Sequence, residues 1–161
     1  MIPKFRAYDG GSLNRMYQPD EVMAGNGDIW IIDEDSAAGE WIVNNDIHLM
    51  QSTGLFDRNG QEIFEGDIIT TNAYACIVCF GEYTYFEDED TQTTAIGFYL
   101  SFLNVTPATY APFEKCYWDN CKVIGNIHEN ELDLIMYEAW KFNKELEDET
   151  KKISVHREQN K

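Results

Sequence analysis

The chain has 161 residues, 43% hydrophobic and 14% aromatic, which suits one folded domain and excludes a largely disordered protein. Its 29 acids against 12 Lys and Arg give a net charge of −17, which repels phosphate backbones and argues against direct binding of DNA or RNA. No run approaches the ~20 apolar residues of a membrane span, and Met1-Ile2-Pro3-Lys4-Phe5-Arg6 lacks the apolar stretch of a signal peptide, so the expectation is a cytoplasmic protein without a membrane partner.

Residues 2–8 alternate weakly and predict a short strand, broken by Gly10-Gly11-Ser12. Met16-Tyr17 predicts another before Pro19. Gly25-Asn26-Gly27-Asp28 reads as a turn, followed by strands at Ile29-Trp30-Ile31-Ile32 and Trp41-Ile42-Val43. The centre of the chain is Leu49 to Ile69, which holds two turn signals, Asn59-Gly60 and Gly66-Asp67. Asn and Gly both accept positive φ, and the Asp67 carboxylate can bond nearby amides. Beyond it the pattern is strongly β: Ile68 to Thr71, then Cys76 to Phe80 running through Gly81 into Tyr83 to Phe86. The Gly inside that strand suggests a bulge or corner. Glu87-Asp88-Glu89-Asp90 is an acidic loop tip. Thr94 to Val105 predicts the longest strand, with Ile96, Phe98, Leu100 and Phe102 as its apolar face. Pro107 to Pro112 reads as a loop, and Lys122 to Ile127 as the last strand, with Gly125 its bend.

From Glu131 to Glu147 the period becomes helical, with Leu132, Ile135, Met136, Ala139, Trp140 and Leu146 on one stripe and Asn130 as candidate N-cap. That stripe either covers the chain's own sheet or packs on a neighbouring subunit, where Lys141 and Lys144 could meet carboxylates. Residues 148–161 are polar and predict a frayed tail. Charge is unevenly placed: residues 1–140 hold 24 acids and 6 bases, and residues 141–161 hold 5 acids and 6 bases. The expected fold is β-rich α+β, a small bent antiparallel sheet or partly closed barrel over residues 1–130 with an N-terminal extension and one C-terminal amphipathic helix.

No pattern of catalytic, cofactor-binding or metal-ligating residues emerges. Cys76-x-x-Cys79 and Cys116-x-x-x-x-Cys121 could suggest zinc, but Ile77 and Val78 are strand formers, and strand residues three apart face opposite ways. His48, His128 and His156 form no H-x-x-x-H or H-E-x-x-H spacing, and there is no phosphate-cradling G-x-x-x-x-G-K-[ST] loop. Glu62, Glu65 and Asp67 are the densest carboxylates beside structured residues, a grouping that 29 acids produce by chance. Gly54, Asn59, Gly60, Gly66, Asp67 and Gly125 are read as structural, because turn geometry accounts for them without a ligand.

Four segments carry a resemblance: Lys4-Phe5-Arg6-Ala7-Tyr8-Asp9, Leu49-Met50-Gln51-Ser52-Thr53-Gly54-Leu55, the run Asp57 to Asp67 with Asn59-Gly60 and Glu65-Gly66-Asp67-Ile68, and Val123-Ile124-Gly125-Asn126-Ile127-His128-Glu129-Asn130. In order and spacing they resemble the YopX family of phage and prophage proteins over about residues 4–132. The family commonly continues after its Gly-Asn-Ile with an aromatic and a Pro-Glu-Leu type ending, whereas this chain reads His128-Glu129-Asn130-Glu131-Leu132. The resemblance implies no enzymatic activity. It implies a phage or prophage accessory protein that self-associates, with a second copy as partner. The acidic surface supports an alternative, a nucleic-acid mimic that occupies a basic host protein of DNA-binding or defence function.

Overall fold

The computed structural model describes residues 2–11, 13–71, 74–103 and 105–160; within the C-terminal helix no side chain is described at 132–134, 138, 139, 142, 143 and 146. The chain is β-rich, with a curled half-barrel of sheet and a C-terminal helix.

Strands β1 (Phe5–Asp9) and β2 (Arg15–Tyr17) pair antiparallel, with Ala7 opposite Tyr17. A 3-10 turn at Pro19–Glu21 leads into a meander of β3 (Val22–Gly25), β4 (Asp28–Ile32) and β5 (Trp41–Val43). The β3–β4 hairpin turns on Asn26 and Gly27, both at positive φ (54° and 81°), the backbone of a type I′ turn. Strand β6 (His48–Phe56) returns along β1, and β7 (Glu62–Phe64) pairs with it, giving the order β2-β1-β6-β7. The chain then passes into β8 (Asp67–Thr71), β9 (Tyr74–Phe86), β10 (Gln92–Phe102), β11 (Tyr110–Pro112), a short helix α1 (Lys115–Trp118) and β12 (Lys122–Asn126). These strands form a second large sheet in the order β11-β10-β9-β8-β12. Helix α2 (Leu132–Gln159) follows and touches β8, β9 and β12.

Glu65-Gly66 is the corner that joins the two large sheets. The Glu65 N–H donates to the Gln51 carbonyl at 2.9 Å, on the first sheet. The Gly66 N–H donates to Val78 at 2.7 Å, and the Gly66 carbonyl accepts from Ile127 at 3.0 Å, on the second. With φ at +83° this position suits glycine. Burial follows strand alternation. Val78 of β9 lies opposite Leu100 of β10, and both join Ile63, Ile69, Cys76, Cys121 and Val123 in one core. Ala7, Tyr17, Val22, Ile31 and Ile47 make a second core between β1 and the meander.

Several expectations need correction. Gly54 is at φ +74° inside β6, where the pairing with β7 slips between Ser52 and Phe56, so it marks a bulge and not a turn. At Asn59-Gly60 only Gly60 has positive φ, and the loop is held by the Asp57 carboxylate, which accepts from the Asn59 N–H at 2.8 Å and the Gln61 N–H at 2.9 Å. Gly125, by contrast, is where the last strand bends as expected: it sits at a bulge in β12, and a Cβ there would come 2.6 Å from the Asn130 Oδ1. Gly81 makes no bulge: it lies opposite Gly97 in unbroken register, with φ of +148° and +154°. Ile96 does not join an apolar inner face but is 76% exposed, because the β9–β10 hairpin runs on past the core. Part of the predicted 107–112 loop is β11, and α1 was not legible at all.

The predicted frayed tail is helical to Gln159. Glu147–Lys151 and Asp148–Lys152 stand at the i,i+4 spacing that stabilises an exposed helix, and His156 and Arg157 lie in the last turn, where the dipole favours cations. The N-cap is Glu131, and Asn130 instead accepts from the Asn126 N–H at 3.0 Å.

Candidate functional site

The first cavity is a polar cleft of about 530 Å³ between the two large sheets, flanked by the edge strands β7 and β12 and by β2. Arg6 reaches it from β1, a position whose neighbours Phe5 and Ala7 point the other way. Its guanidinium Nη2 donates to the Asp67 Oδ1 at 2.5 Å, with Arg6 over the Phe64 ring at 4.7 Å. Asp67 Oδ2 accepts from the Phe64 N–H at 2.8 Å. Burial raises the Asp67 carboxyl above its usual range, opposed by the Arg6 charge and the Phe64 N–H. Both charges are therefore occupied by each other. Removing one partner of such a buried pair costs on the order of 3–5 kcal/mol, so the pair pins β1 to the corner.

Around this pair the other predicted carboxylates are also engaged. Glu62 accepts from Lys4 at 2.6 Å and from the Ser52 hydroxyl at 3.0 Å. Glu65 accepts weakly from the Gln51 N–H at 3.4 Å, and burial pushes its carboxyl up. Asp57, which sequence reasoning did not single out, reaches across the fold: its Oδ2 accepts from the Val123 N–H at 2.9 Å, tying the β6–β7 loop to β12. Sequence reasoning did not single out Arg6, because a cation between Phe5 and Ala7 in a strand takes the face opposite theirs and reads as solvent-facing.

A second cavity lies on the other side of the corner, where His128 stacks between Tyr8 (ring centroids 5.2 Å apart) and His48 (4.8 Å). Tyr8 and His48 are cross-strand partners of β1 and β6. His128 belongs to the turn leading into α2, so the stack docks the start of that helix on the first sheet. Burial lowers the His128 pKa first, then the charges of His48 and Arg6, with Glu129 opposing.

The cysteines split as strand geometry predicts. Cys76 is in the core and Cys79, three residues on, lies against the second cavity. Burial pushes the Cys76 thiol up to about 12 and the Cys121 thiol to about 11. Among the described residues no three His, Cys, Asp or Glu side chains converge on one point.

Of the predicted interface residues, Ile135 is buried at 2% exposure, Met136 is half-buried and Trp140 is 55% exposed. The side chains of Leu132, Ala139 and Leu146 lie outside the described residues. Tyr137 is exposed beside Trp140 with ring centroids 6.0 Å apart. Lys144 lies over the Trp140 ring at 5.0 Å, and Lys141 is exposed. The helix thus uses one side at its start for the body and leaves aromatic surface free.

A family model described as YopX protein matches residues 4–134. No curated protein matches the chain. Among solved structures, the crystal structure of protein EF1440 from Enterococcus faecalis is similar at 28% identity, over 81% of this chain and 96% of that one, with a TM-score of 0.45.

Proposed function

The chain belongs to the YopX family, and from that premise we propose that it is a non-catalytic phage or prophage accessory protein acting through self-assembly and protein–protein contact. The proposed location is the host cytoplasm; among the described residues no helix is long and apolar enough to cross a membrane. The supporting observation is α2, a helix about 42 Å long at 1.5 Å per residue. It buries Ile135 yet leaves Tyr137, Trp140, Ile153 and Val155 exposed. Large apolar side chains left exposed on this helix fit a contact surface. Light scattering of the full chain at ~100 μM in ~0.15 M salt, where repulsion beyond ~8 Å is screened, should show an oligomer that Tyr137→Glu/Trp140→Glu disrupts. A monomer under those conditions would defeat the reading.

A second reading, the acidic mimic that occupies a basic host protein, is favoured by one feature. Glu87, Asp88, Glu89 and Asp90 stand exposed at the tip of the long β9–β10 hairpin. Capture of such a partner should weaken steeply as salt is raised, whereas apolar contact should not.

A further inference from the structure

We propose that the groove between the β9–β10 hairpin tip and α1 seats the basic end of α2 from a second copy of the chain. This rests on the self-assembly reading and names its contact. The groove, about 410 Å³, is walled by Tyr85, Phe86, Tyr110 and Tyr117 and carries the carboxylates of Glu87 and Glu114. It is built, since the Glu87 Oε1 accepts from the Thr93 hydroxyl at 2.9 Å and from the Tyr85 hydroxyl at 3.3 Å. Tyr110 is braced edge-on by Tyr99 at 5.8 Å, and Tyr117 by Phe102 at 6.1 Å. Among the described residues no base lines the groove, and Lys115 nearby is engaged by Asp119 at 3.0 Å and the Trp118 ring at 5.1 Å. Aromatic faces beside fixed carboxylates suit ammonium and guanidinium groups carried on an apolar stem.

The chain itself holds a segment of that chemistry. Residues 151–157, Lys151-Lys152-Ile153-Ser154-Val155-His156-Arg157, carry three bases and no acid. All seven are exposed on a helix. Four-residue spacing sets Ile153 beside Arg157 on one side of the helix and Lys151 beside Val155 on the nearly opposite side, so each side carries a cation next to an apolar side chain. Among the described residues, none of α2 lines the groove within its own chain. Because the groove and its occupant are different surfaces, two copies can exchange helix ends reciprocally about a two-fold axis, or successive copies can join head to tail into a ring or an open chain.

The test is a charge exchange in the full chain, read by light scattering across a concentration series, with thermal melts to verify folding. One variant is Glu87→Lys/Glu114→Lys, the other Lys151→Glu/Lys152→Glu/Arg157→Glu, and a third carries all five changes. Two acids turned into bases add 4 to the net charge of −17, giving −13, so weaker association there cannot come from general repulsion. Each variant alone should weaken association about tenfold or more, and the five-change chain should recover to within about threefold of the wild type. If the wild type assembles and either variant alone leaves association unchanged, or the five-change chain fails to recover, this contact is wrong while self-assembly stands. A monomeric wild type removes both.

Discussion

At Gly66 the backbone must turn from the first sheet into the second at φ +83°, and a Cβ there would lie 3.3 Å from the Met50 Sδ and 3.5 Å from the Ile127 Cγ1. Backbone preference and packing therefore exclude side chains together. Gly66→Val should cost about 1–3 kcal/mol of strain in urea denaturation. Asp88→Asn is the matched control at the hairpin tip. There the exposed carboxylate accepts from the Asp90 and Thr91 N–H groups and the Thr91 hydroxyl. Equal stability of the two variants would contradict the corner. At this scale the sequence showed where the chain turns, because Gly has few other reasons to sit between Glu65 and Asp67. It did not show that Asp67 would turn inward to Arg6, 61 residues away. That pairing is set by which sheet faces meet, a property of tertiary packing that no local pattern carries.

The elements were legible where burial imposes a period and illegible where it does not. Runs of β-branched and aromatic residues located β4 and β9, and alternation located β10, because one face of each meets a core, whereas β6 was read only as part of the central stretch with its turns. The same reasoning overran at Ile96, since the β9–β10 hairpin extends beyond anything it could pack on. It stopped short at Glu147, since the far half of α2 is held by local propensity and charge spacing with no buried stripe. The junction between β12 and α2 was missed for another reason: rings from three distant elements, Tyr8, His48 and His128, stack there. That stack makes a pH prediction. His128 has its pKa lowered below 6.5 in the folded protein, so the unfolded chain binds the proton more readily. Stability is full above about pH 6.5 and falls as pH drops towards the lowered folded value. Cooling of the melting temperature between about pH 7 and pH 5.5 should be smaller in His128→Phe, which keeps a ring in the stack but cannot titrate. An NMR titration placing His128 at or above 6.5 would overturn this account.

For the whole molecule the governing quantity is how −17 is distributed. Copies so charged repel one another, so any assembly must bring together surfaces from which the acids are excluded or balanced. The far end of α2 is a stretch in which bases are not outnumbered. Residues 148–161 hold three acids and four bases, and those from 148 to 160 are all exposed. Deleting them changes the net charge from −17 to −18, which leaves general repulsion almost as it was. It also leaves Ile135, the Arg6–Asp67 pair and the histidine stack in place, so the fold loses no described buried contact. A chain ending at Glu147 should therefore melt within a few degrees of the full chain, a shift corresponding to about 0.5 kcal/mol. It should nevertheless associate at least about tenfold more weakly in light scattering, because it lacks the basic helix end and the apolar Ile153 and Val155 that travel with it. Retained assembly after this deletion would put the contact nearer Tyr137 and Trp140. A large loss of melting temperature would mean instead that the far half of α2 packs on its own body, contrary to its exposure.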